Sequence, residues 1–389
     1  MVELTKKRMS KTVFGYMFSM LFVSMALALF LPVTALYLAD DVHASKFQIG
    51  MFFTVQGLFT IILSQFVARY SDIYGGRKPI IIWGSICGAL TCLVFTQTRN
   101  YSLILLTGAF IYSMAQIGSQ LFASAREYCI YSGRNVYTFT SILRVFFALA
   151  WVIGPPAALY TVGVYGFNFV YYANIAVYAL VITAVVTLLP NTSQFRKEDA
   201  GEIKKIRLFS EPSVAFLCLT TVCVFVCNNM YLITMPQYVT KELDFPIRFV
   251  GIFVAAAAAM EMPIMVISSQ LARRISMKYI ILFGLGCGVV FGALVPVAST
   301  VGGFIAIQIV NALFIGIYTT LGMLYFQELM PKIPGQSTTL FTSSIAIGSI
   351  AAGGISGIIA ESLGYVFVFY SNIIVSLLGF ISMSLVRKI

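Results

Sequence analysis

The chain has 389 residues, 59% of them hydrophobic and only 10% charged, with a formal net charge of +11. A soluble domain carries about 25% charged residues, so this composition excludes a water-soluble globular protein and makes lipid part of the solvent. The basic excess would otherwise point to nucleic acid, but the placement of the charges accounts for it without that partner.

Each apolar run of about 20 residues is a candidate membrane span, and twelve occur. Met1 to Lys11 is basic and polar. The run 12–38 that follows is longer than a signal-peptide core and is read as a retained first span. His43, the sole histidine, lies in the polar loop before the second run, 47–69. The turn after it reads Ser71-Asp72-Ile73-Tyr74-Gly75-Gly76-Arg77-Lys78. It combines an acid at a helix end, glycines for a tight turn and two bases. Such an acid can pair across a helix interface and let go as a cavity changes sides, so Asp72, Arg77 and Lys78 are gating candidates. An ordinary charged turn has the same composition.

Runs 79–97 and 101–125 come next. The fourth carries Tyr112, Gln116, Gln120 and Glu127 on one face. Spans four and five are expected to form a hairpin that brings Glu127, at the end of span four, towards Arg144; an ion pair near the cytoplasmic surface is the other reading. The fifth run, 137–162, holds Arg144 about two turns in, with Trp151 seven residues on and therefore on one helix face, a stripe extended by Ser141 and Tyr137. Arginine donates paired hydrogen bonds to hydroxyls or carboxylates, and an indole packs against the apolar face of a sugar ring. An internal salt bridge and a packing tryptophan are the plainer alternatives. Gly154-Pro155-Pro156 interrupts the backbone ladder and is expected to kink or stiffen this span.

After run 166–189 comes the hydrophilic stretch 190–211, read as a cytoplasmic linker. It separates an N-terminal six-helix half, 1–189, from a C-terminal half, 212–389. The seventh run, 213–239, shows Asn228, Asn229 and Tyr231. The eighth, 248–272, carries Glu261 with no base beside it in sequence. Ionisable groups inside a bilayer are costly and are kept for cavities, pairs or proton transfer, so Glu261 is the first candidate proton carrier, with Glu127 and Glu328 as alternates. A permanently protonated acid bonding another helix is the competing reading. Run 277–298 precedes the tenth, 302–327, with Asn311, Tyr318 and Tyr325 spaced along it and Glu328 following. Runs 336–360 and 365–386 complete the set. The amides and phenols Gln120, Asn228, Tyr231, Asn311 and Tyr325 fit a neutral polyhydroxyl ligand, although such residues also bond helices together.

With both termini in the cytoplasm, 20 of the 25 basic residues fall on the inner side. Four, Lys46, Arg99, Lys241 and Arg248, fall outside, and Arg144 alone lies within a span. That split follows the positive-inside rule. The seven cysteines lie in or at the ends of apolar runs without metal spacing and are read as small apolar packers. The halves also repeat. Gln48-Ile49-Gly50-Met51-Phe52-Phe53 recurs as Phe249-Val250-Gly251-Ile252-Phe253-Val254, and Arg126-Glu127 as Gln327-Glu328. Phe139-Thr140-Ser141 recurs as Phe341-Thr342-Ser343. Parallel repeats of this kind place a substrate site at the interface of the halves, near the bilayer midplane.

The Asp-x-x-Gly-Gly-Arg-Lys turn, twelve spans and a central linker resemble the major facilitator superfamily. Ala68 stands where the usual motif has glycine, and one residue is inserted before Arg77. Longer strings resemble the sugar efflux transporter (Set) family in both halves. They include Leu121-Phe122-Ala123-Ser124-Ala125-Arg126-Glu127-Tyr128, Ala148-Leu149-Ala150-Trp151-Val152-Ile153-Gly154-Pro155-Pro156, Cys227-Asn228-Asn229-Met230-Tyr231 and Gly322-Met323-Leu324-Tyr325-Phe326-Gln327-Glu328. That resemblance implies export of sugars or glycosides driven by inward proton flow. Glu127, Arg144 and Trp151 are also similar to the sugar-contacting acid, arginine and tryptophan of lactose permease.

The expectation is an all-α, twelve-span transporter of the major facilitator fold, monomeric, in the cell membrane, with protons and a small sugar as partners and no metal or cofactor. A multidrug–proton antiporter of the same superfamily is the alternative, kept open by 33 Phe and 16 Met. A membrane-embedded enzyme would need a clustered catalytic set. One histidine and no aspartate within a span argue against it.

Overall fold

The computed structural model describes residues 2–74, 76–112, 117–134, 136–190, 212–330 and 334–387. The side chains of 2–10, 65, 68–74, 136–138, 141, 334–336, 338 and 339 fall outside that description, as does nearly all of the linker. With no water in the bilayer core, a chain must satisfy its own backbone, which leaves helices or closed barrels. Here it forms helices. They are α1 (Val2–Asp40), α2 (Lys46–Tyr74), α3 (Arg77–Gln97), α4 (Tyr101–Leu106), α5 (Gly118–Tyr131), α6 (Val136–Tyr165) and α7 (Phe167–Leu188). They continue as α8 (Pro212–Lys241), α9 (Arg248–Leu271), α10 (Met277–Leu294), α11 (Val301–Leu329), α12 (Pro334–Leu363) and α13 (Tyr365–Leu385). Among the described residues, eleven helical stretches are long and apolar enough to cross a membrane.

The expected fourth span is the exception. It is divided into α4, a π-helical turn over Thr107–Ile111, and α5. α5 runs on to Tyr131, so Glu127 lies inside a helix and not at its end. Likewise α2 extends to Tyr74, which puts Asp72 in its last turn and leaves Gly76, at φ 89°, to make the reversal into α3. Pro155 and Pro156 sit within an unbroken α6.

The chain divides into two compact units, one of Met1–Tyr37 with Val55–Gly201, the other of Leu38–Thr54 with Glu202–Ile389. In the first, α3 packs along α7 at Gly88, where a Cβ would meet the Tyr178 ring at 2.3 Å. Asn174 Nδ2 donates to Ala26 O at 3.1 Å, tying α7 to α1. Lys78 Nζ donates to Val186 O and Leu189 O at the end of α7, both at 2.9 Å. The second unit repeats these devices. Asn372 Nδ2 donates to Cys227 O at 3.4 Å, tying α13 to α8. Lys278 Nζ donates to Ser384 O at 2.8 Å and Val386 O at 2.6 Å. Gly166 and Gly364, at φ 80° and 102°, precede α7 and α13.

The second unit also takes in the end of α1 and the start of α2. Lys241 pairs with Asp40. Phe47 N donates to Glu361 Oε2 at 3.2 Å, and Thr54 Oγ1 to Ile350 O at 3.0 Å. Gly50 lies so close to α12 that a Cβ there would meet Gly353 O at 2.3 Å. Small residues spaced as Gly353 and Gly357 permit this backbone approach. All seven cysteines are free thiols.

Candidate functional site

In the first unit, the candidate site residues fall into two sets. Gly76 sets Arg77 at the first position of α3, from which the guanidinium reaches α5. Arg77 Nε donates to Glu127 Oε1 at 2.8 Å, and Nη1 to Gln120 Oε1 at 2.8 Å. The expected approach of Glu127 to Arg144 is thus replaced by a pair with Arg77, because α3, not α6, presents the base to that face of α5. Both bonds are charge-assisted and leave the acid neutralised. Lys78 spends its ammonium on the carbonyls ending α7. Two adjacent bases therefore hold different helices. The Asp72 side chain, like those of Gln116, Tyr137 and Ser141, lies outside the described residues.

The second set lies on α6. Arg144 is exposed and, among the described residues, forms no ion pair or hydrogen bond. Trp151, two turns on and on the same face, is half-buried, and its Nε1 is buried without an acceptor among the described residues. An orphaned buried donor is costly and calls for an explanation. α6 also approaches α1 closely at Gly154, where a Cβ would meet Ala28 Cβ at 2.7 Å.

In the second unit, the paired asparagines of α8 part ways. Asn229 Nδ2 donates to Phe225 O at 2.8 Å and to Ser349 Oγ on α12 at 3.1 Å. Asn228 is half-buried and has no side-chain partner among the described residues. Tyr231 is buried between Phe291 and Phe369, ring centroids 4.9 and 6.3 Å away, and its Oη accepts from Gln308 Nε2 at 2.9 Å. Asn311 and Tyr325 are buried on one face of α11. Tyr318 shares that face and exchanges a hydrogen bond with Thr221 at 2.7 Å. Glu261 is half-buried on α9 beside Gly316, whose Cβ would lie 3.5 Å from the Glu261 main-chain oxygen. Its carboxyl has no base or hydrogen-bond donor among the described residues. Glu328 is exposed in the last turn of α11. Sequence reasoning passed over Gln308; its spacing of four from Phe304 and three from Asn311 was the available signal.

A helical membrane bundle with a few polar and ionisable groups reserved inside it has the build of a transporter. Residues 16–332 match the Major Facilitator Superfamily. The chain is 36% identical to Sugar efflux transporter A of Dickeya chrysanthemi, over 87% of this chain and 86% of that one. It is 32% identical to Sugar efflux transporter A of Escherichia coli (strain K12), over 96% and 95%. Among solved structures, a mutant of the nucleoside transporter NupG superposes with a TM-score of 0.84 at 14% identity, over 97% of this chain and all of that one. A bacterial homologue of the iron transporter ferroportin, in an inward-facing state, gives 0.75 at 14% identity, over 97% and 98%. At that identity the likeness is of fold alone. The protein belongs to the major facilitator superfamily and, within it, to the sugar efflux transporter family. It is a multi-pass membrane transporter.

Proposed function

We propose that the protein exports sugars or glycosides across the cell membrane in exchange for protons, by alternating access, with both termini in the cytoplasm. The observation that carries this reading is the pair of unspent donors on one face of α6, the Arg144 guanidinium and the buried Trp151 Nε1. An arginine facing lipid would be costly, so the surface it shares with Trp151 is better matched to a water-filled cavity. A cation, an indole N–H and an indole face together suit a ring bearing hydroxyls. The relatives named as sugar efflux transporters support the same ligand class.

The remaining roles follow from what each group has left to offer. Asn228 keeps its amide for ligand. Gln120 and Glu127 are shared with Arg77, so ligand or a proton competes with that base for them, which links binding to the turn carrying Asp72, Arg77 and Lys78. Tyr231, Asn311 and Tyr325 are further candidate ligand contacts within the second unit. Glu261, without a neutralising base, is the first choice as proton carrier; Glu127 and Glu328 are second. Proton binding then biases which of two states is stable. The test is protection in cells lacking their own exporters: expression should raise resistance to toxic glycosides. Resistance to lipophilic cationic dyes with none to glycosides would contradict the reading and favour a multidrug antiporter.

A further inference from the structure

Gln308 is completely buried on α11. Its Nε2 donates to Phe304 O at 3.1 Å and to Tyr231 Oη at 2.9 Å, while its Oε1 accepts from Asn311 Nδ2 at 3.1 Å. A main-chain carbonyl only accepts, so the Phe304 bond fixes which end of the amide is nitrogen. The other polarities follow. Tyr231 must offer its oxygen, and Asn311 must turn its nitrogen towards Gln308. Asn311 Oδ1 is then left without a donor among the described residues, on a side chain only 5% exposed. Asn174 Oδ1 and Asn372 Oδ1 also lack a partner among the described residues but are fully enclosed, whereas Asn311 Oδ1 is not among the enclosed unpaired atoms and stays open to a ligand.

Helix bonding does not account for this arrangement. Asn174 and Asn372 each spend their nitrogen on a main-chain carbonyl of another helix. Asn311 spends its own on a side chain one turn away on the same helix, which joins no two helices and serves only to orient it. The bond across to α8 is made by Gln308 and Tyr231, and that anchors the relay. We infer that Gln308 is a positioning residue for substrate: anchored by Tyr231 and Phe304, it holds Asn311 so that Oδ1 is presented as the acceptor for one hydroxyl of the transported sugar. This rests on the sugar-export reading above.

The test is equilibrium binding of a glycoside and its monodeoxy analogues to the purified full chain. Wild type should bind one analogue about three- to tenfold more weakly than the parent, the worth of one neutral hydrogen bond. In Gln308→Met that one preference should vanish while preferences at the other hydroxyls persist. Asn311→Leu should show the same selective loss, and the double variant no more. Gln308→Leu removes donor and acceptor alike at similar volume; it serves if the methionine variant does not fold, and the same loss is expected. Gln308 variants that keep every preference, or weaken all analogues equally, would overturn the inference while leaving sugar export intact. A wild type that binds no glycoside would overturn the sugar-export reading and this inference with it.

Discussion

Arg144 and Glu261 carry the heaviest predictions because neither charge is neutralised by a neighbour among the described residues. Arg144→Ala is expected to weaken sugar binding by roughly 2 kcal/mol, about 30-fold, the worth of hydrogen bonds from a charged donor. Arg144→Lys should recover only part of that, since an ammonium lacks the planar fork. Equal affinities for wild type and both variants, by direct binding, would show that Arg144 is structural. Glu261→Gln keeps size and hydrogen-bonding capacity but cannot carry a proton. It should still exchange sugar down a concentration gradient and lose its response to an imposed pH gradient; a retained response would move proton transfer to Glu127 or Glu328. The identity of these residues was legible in the sequence, since ionisable groups inside apolar runs are few. Their partners were not. Glu127 answers to Arg77, 50 positions earlier, because Gly76 turns α3 towards α5, and one-dimensional spacing holds no record of that approach. Gln308 was missed for the same reason: its value lies in a bond to Tyr231 on another helix.

Helices and their order were readable from apolar runs, and eleven stretches meet the length and hydropathy of a span. The fourth run was not readable in detail. Its average hydropathy conceals the π-helical turn at Thr107–Ile111, since composition reports solvent preference and not which carbonyl each N–H meets. Charge counting likewise placed Lys78 and Lys278 only as inner-side bases. In the structure both close the C-terminal end of a helix, α7 and α13 respectively. A cation at a helix C-terminus satisfies otherwise orphaned carbonyls and opposes the negative end of the dipole. Lys278→Met should therefore lower stability by about 1 kcal/mol, visible as a reduced thermal midpoint in detergent, with Lys278→Arg near wild type. Glycines separate by surroundings in the same assay. Gly88→Ala meets the Tyr178 ring and should cost about 1–3 kcal/mol by overpacking. Gly286→Ala, with no described atom within 4 Å of its Cβ, should cost little.

At the scale of the whole molecule, the duplication seen in short strings such as Phe139-Thr140-Ser141 and Phe341-Thr342-Ser343 is matched by contacts. The capping lysines, the asparagines Asn174 and Asn372, and the glycines before α7 and α13 recur 198 to 200 positions apart. Compactness does not follow chain order, however. Residues 38–54 group with the C-terminal part of the chain, through the Asp40–Lys241 pair, the Glu361 bond to Phe47 N and the close approach of Gly50 to α12. A side chain at position 50 meets backbone that cannot move aside, so Gly50→Val should impair both stability and export more than the same change at Gly286. Unequal division of labour between the repeats fits these particulars: Arg144 on α6 has no basic counterpart on α12, and Glu261 on α9 has no acidic counterpart on α2. The most direct measurement is movement of a labelled glycoside in vesicles holding the purified protein, with and without an imposed pH gradient. Accumulation on the acidic side that collapses when the gradient is dissipated is the predicted result; transport indifferent to the gradient would contradict proton-coupled export.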